Sequence, residues 1–128
     1  MAVSVLGRRG GPAARVYRLW LAWLGIWLLT TAAVYAVGAA PASRWLAAGL
    51  AVSLGGFALG AGILAALFPT GLTKDLSDPS ALIHGIASAL GFFALLFLPL
   101  WQALLALETD SPVMAWACFA APGLALVF

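Results

Sequence analysis

His84 is the single histidine of the chain, and Ser88 follows it by four residues, so on a helix an imidazole and a hydroxyl share one face with Gly91. Such a pair can exchange a proton near neutral pH or hold a polar ligand. The stretch before it, Pro69-Thr70-Gly71-Leu72-Thr73-Lys74-Asp75-Leu76-Ser77-Asp78-Pro79-Ser80, is the longest polar connection beyond the N-terminus. Thr70, Asp75 and Asp78 can therefore converge with His84 and Ser88 on one polar or ligand site. Four of these residues, all but Thr70, also have a structural role open to them. Asp78 before Pro79 suits a helix N-cap, and Asp75 can pair with Lys74 in water. His84, one turn into its helix, can reach headgroups, water or the loop backbone. Ser88 is expected to hydrogen-bond a carbonyl one turn back rather than act as a nucleophile.

No complete catalytic constellation is legible, so no catalytic residue is assigned. A lone histidine without a second histidine, a cysteine pair or a carboxylate on its face does not complete a usual zinc or bis-imidazole haem site. Cys118 is the only cysteine, which excludes an intramolecular disulfide and a thiolate cluster. Neither a metal nor a cofactor is expected, and Cys118 reads as an inert packed thiol.

The elements that must position these residues are transmembrane helices. Beyond Arg18, the charged or readily charged side chains are Arg44, Lys74, Asp75, Asp78, His84, Glu108 and Asp110, and all but His84 lie between long apolar runs. With 65% hydrophobic and 8% charged residues, the chain is far from a soluble domain, in which about a quarter of residues are charged. An apolar helix of about 20 residues spans a hydrocarbon core of roughly 30 Å. The expected fold is an all-α integral membrane helical bundle with about four spans, near 19–40, 45–68, 81–107 and 113–128. Residues 1–18 are expected to be a flexible basic segment and 19–128 a single transmembrane domain. The first run is longer than a cleavable signal segment and carries Trp20, Trp23 and Trp27, so it reads as a retained helix.

Details of the runs carry further expectations. Gly49, Ser53, Gly56 and Gly60 recur at spacings of four, three and four and so line one helix face. The Gly56/Gly60 pair suits close helix packing, within the chain or against a second copy or membrane partner. Pro99 should kink the third span, and Trp45, Trp101 and Trp116 suit the membrane interface. The last run is short for a span, as in a truncated chain. Arg8, Arg9, Arg15, Arg18 and Lys74 fall on one side of the membrane and Arg44 on the other, which selects a cytoplasmic N-terminus. The basic N-terminus is thus a topology signal, and no nucleic acid is expected as partner; the lipid bilayer is.

Three motifs occur in order: Phe68-Pro69-Thr70 at the end of the second span, His84-Gly85 near the start of the third, and Leu98-Pro99-Leu100 late within it. Over residues 50–105 the chain resembles the bacterial multi-pass membrane family of domain of unknown function 998 (DUF998). Members typically carry Phe-Pro-Thr-Asp followed by His-Gly, and here Gly71 stands in place of the acidic residue. The resemblance implies an inner-membrane helical protein of about six spans, of which this chain would be an incomplete member, and it implies no activity. The function expected is non-enzymatic, structural or interaction-based. The alternative is a small transporter or a lipid- or ligand-handling protein using His84, Ser88 and the 69–80 loop. A membrane hydrolase, which needs several histidines and acids at one face, is disfavoured.

Overall fold

The computed structural model describes residues 10–71 and 77–125, with side chains through residue 120. The fold is all-α. Four helices follow one another: α1 (Ala14–Ala39), α2 (Arg44–Leu67), α3 (Pro79–Glu108) and α4 (Pro112–Ala125). The first three are long and apolar enough to cross a membrane. The 14 residues of α4 rise only about 21 Å at 1.5 Å per residue.

The packing order follows from short connections and small residues. A tight turn through Pro41 and Ala42 reverses α1 into α2, and the Ser43 hydroxyl accepts from the Leu46 N–H to cap the new helix. α2 then lies between α1 and α3, and α4 rests on the second half of α3. Buried positions are mostly small: Ala32, Ala47, Ala58, Ala65, Ala87 and Ala103 are in the interior, and Leu50 is the one large side chain there that is fully enclosed among the described residues. Large apolar groups point outward instead. Trp23, Trp27, Val37 and Trp45 are 67%, 63%, 75% and 87% exposed, so the outer surface of the bundle is apolar. Small residues inside and large ones outside are what helix association in lipid favours, since close backbone approach drives it.

Two boundaries differ from the sequence expectation. α1 starts at Ala14, so Arg15 and Arg18 are helical and do not belong to a flexible segment; residues 1–9 lie outside the described residues. The physical reason is that arginine is a good helix former and Arg18 has a partner on α2, described below. The second difference lies inside α2, where Ala58–Leu64 is wound as a π-helix. That stretch is clamped from both sides by backbone. A Cβ on Gly60 would meet the Ala87 carbonyl of α3, and one on Gly62 would lie 2.7 Å from Gly25 Cα of α1.

The small-residue stripe behaves as expected. Gly49 and Ser53 meet Trp101, Gly56 meets Ala94, and Gly60 meets Ala87, all on α3. The Gly56/Gly60 face is therefore covered from within the chain. Trp101 is not the interfacial anchor expected. Its indole lies over Gly49, and its Nε1–H donates to Ser53 Oγ at 3.0 Å because Gly49 leaves room for the ring. Ser53→Ala should leave the indole N–H without this partner and lower stability by about 1 kcal/mol, measurable by unfolding in mixed detergent–SDS micelles.

α3 begins as its sequence indicates, with Pro79 in the first turn and the Asp78 carboxylate accepting from the Ser80 N–H at 3.1 Å. Its regular winding breaks at Leu96 and Phe97 and resumes over Leu98–Glu108 with Pro99 in the first turn, the expected interruption. α3 ends in a Schellman motif. The Ser111 N–H donates to the Ala106 carbonyl at 2.7 Å, the Asp110 N–H to Leu107, and Asp110 sits at φ 54°. Asp110→Gly should relieve that left-handed backbone and raise stability by roughly 0.5 kcal/mol in the same assay.

Candidate functional site at the C-terminal end of α2

The carbonyls that end a helix lack intrahelical donors, and at the end of α2 the shortage is made worse by proline. Pro69 stands where an N–H would have reached the Ala65 carbonyl, four residues back. Three side chains from elsewhere in the chain supply the missing donors. His84 Nδ1 lies 3.2 Å from the Ala65 carbonyl and 2.9 Å from that of Phe68. Arg18 Nε donates to the Ala66 carbonyl at 2.7 Å, and Ser80 Oγ to the Pro69 carbonyl at 3.0 Å. The antiparallel α1 brings its N-terminal turns beside this end, so an arginine that would oppose its own helix dipole meets the negative end of α2's.

This geometry determines the imidazole tautomer. Both partners of Nδ1 are carbonyl oxygens, which only accept, so Nδ1 carries the hydrogen. In the neutral ring Nε2 then offers a lone pair, and it has no hydrogen-bond partner among the described residues.

His84 and Ser88 line a trough of about 390 Å³ between α1 and α3, floored by α2. Tyr17 joins them at the same end, while Leu24, Leu28 and Phe57 make the remainder apolar. Ser88 differs from expectation: its hydroxyl makes no hydrogen bond to a described residue, so it is not tied to the carbonyl one turn back. Ser88 instead faces the trough.

The other expected site residues separate. Asp78 caps α3 and does not line the trough, Thr70 is half-buried without lining it, and Asp75 lies outside the described residues. Of the motif residues, Phe68 and Pro69 contribute carbonyls to the junction, and Gly85 faces open space. Among the described residues no three histidines, cysteines or carboxylates gather as a metal site. Arg18, Ser80 and Tyr17 were missed as participants. Arg18 had a readable signal, a cation in the first turns of a helix antiparallel to a proline-terminated neighbour.

No protein-family model, curated protein or solved structure matches the chain.

Proposed function

We propose that this protein is a non-enzymatic integral membrane bundle that works through contacts with lipid and with neighbouring membrane chains. The observation that carries this reading is the engagement of the polar side chains at the α2 end. Arg18, Ser80 and the candidate His84 each hold a backbone carbonyl of that junction. The outward-facing Trp23, Trp27 and Trp45 supply the contact surface. We place it as a multi-pass protein of a bacterial inner membrane with a cytoplasmic N-terminus, from its basic residues and its likeness to DUF998. Association with a second copy would use the exposed face of α1, since the Gly56/Gly60 stripe is occupied by α3.

The test is a photo-reactive side chain at position 23 or 27 in intact cells. Crosslinks to lipid or to a membrane protein, unchanged by Ser88→Ala, are expected. Loss of those crosslinks in a folded Ser88→Ala protein would overturn this reading and move the working site to the Ser88 trough.

A second reading, the handling of an amphiphile, is favoured by the trough itself. It combines an apolar length with Ser88 Oγ and His84 Nε2, which have no hydrogen-bond partner among the described residues.

A further inference from the structure

Resting on the amphiphile-handling reading, we infer that the trough between α1 and α3 binds a single-chain lipid whose head carries a free hydroxyl, of the monoacylglycerol class. Its polarity is one-sided. Tyr17, His84 and Ser88 sit at the end near the α2 terminus, and Leu24, Leu28 and Phe92 form the rest. From Tyr17 to Leu28 the wall is about 16 Å long at 1.5 Å per residue, close to the roughly 15 Å of one leaflet's hydrocarbon. The rim is open to the bilayer, since Trp20 and Phe92 are more than half exposed. A volume of about 390 Å³ is near the lower end of the roughly 300–1,000 Å³ typical of small-ligand sites, which suits one chain.

The head chemistry follows from the hydrogen-bond inventory. With its hydrogen on Nδ1, the neutral ring presents only an acceptor at Nε2, so its partner must be a donor. Ester and ether oxygens of ordinary diacyl lipids only accept. A hydroxyl donates to Nε2 and still accepts from Ser88 Oγ, satisfying two polar atoms that have no hydrogen-bond partner among the described residues.

The experiment uses the whole chain in phosphatidylcholine nanodiscs and three probes with a mid-chain diazirine: a monoacylglycerol, the methyl ester of the same acyl chain, and a phosphatidylcholine. Photolabelling is read by peptide mapping. The monoacylglycerol should label Leu24, Leu28 or Phe92, be displaced by its unlabelled form, and exceed the methyl ester about fivefold, the worth of one net hydrogen bond. Ser88→Ala, which removes no hydrogen bond of the fold, should reduce its labelling to the methyl-ester level. Leu28→Trp, which fills the apolar end, should abolish labelling by either single-chain probe. Equal labelling by monoacylglycerol and methyl ester, both above phosphatidylcholine, overturns the hydroxyl recognition but leaves the amphiphile reading standing. Equal labelling by all three overturns that reading as well, because the trough then holds only bulk lipid.

Discussion

Gly60→Ala is expected to cost about 3 kcal/mol or more and to separate α2 from α3. The added methyl would fall on the Ala87 carbonyl oxygen, with Gly91 Cα at 3.2 Å, so backbone and not a movable side-chain tip stands in its way. Restoring ordinary contact requires the helices to part by about 1 Å. A gap of that size forfeits a quarter to a half of the dispersion energy of each contact along the seam. Overpacking a tight core typically costs about 1–3 kcal/mol, and a rigid backbone obstacle puts this site at the upper end. The effect should be graded along the chain. Gly62→Ala, whose methyl would lie 2.7 Å from Gly25 Cα, should follow closely. Gly56→Ala, facing the Ala94 methyl at 3.2 Å, should be milder. Gly38→Ala and Gly85→Ala meet nothing within 4 Å and should be neutral or slightly stabilising. Unfolding in mixed micelles measures all five. A flat profile, with Gly60→Ala no worse than Gly38→Ala, would contradict the close packing of α2 on α3.

The same seam shows what was readable in the chain. The long apolar runs yield three helices long and apolar enough to cross a membrane because hydrocarbon length is a constraint on sequence alone. Gly49, Ser53, Gly56 and Gly60 could be placed on one face by spacing, and that face packs on α3. The π-wound stretch was not legible. Its cause is tertiary, a helix pressed by Gly25 on one side and by Ala87 on the other. Trp101 was misread for a related reason: position along a span suggests an interface, whereas its partner Ser53 lies 48 residues away. The His84–Ser88 face was visible as an i, i+4 pair. The hydrogen-bond shortage at Ala65 was implicit in Pro69, but which side chains answer it depends on how α1 and α3 flank α2.

That shortage makes His84 the second position of large expected effect. His84→Ala should destabilise the bundle by about 2 kcal/mol, because it removes the donor to two carbonyls at once and backbone supplies no substitute for Ala65. The half-buried ring leaves room for some water, which keeps the loss below that of two fully enclosed orphan groups. A packing effect alone would produce a similar loss, so the deciding measurement is a double-mutant cycle with Pro69→Ala. Replacing Pro69 lets Phe68, now at φ −110° and ψ 78°, turn helical, which brings the restored N–H to the Ala65 carbonyl. If His84 acts by capping α2, Pro69→Ala should recover roughly 1 kcal/mol of stability in the His84→Ala background and little in the natural chain, where the carbonyl already has its donor. Additive effects would mean that the ring contributes by filling space. Arg18→Met offers an independent comparison at the neighbouring carbonyl. It should lower stability by about 1 kcal/mol yet be insensitive to Pro69→Ala, because the Ala66 carbonyl is one residue out of register with the restored N–H.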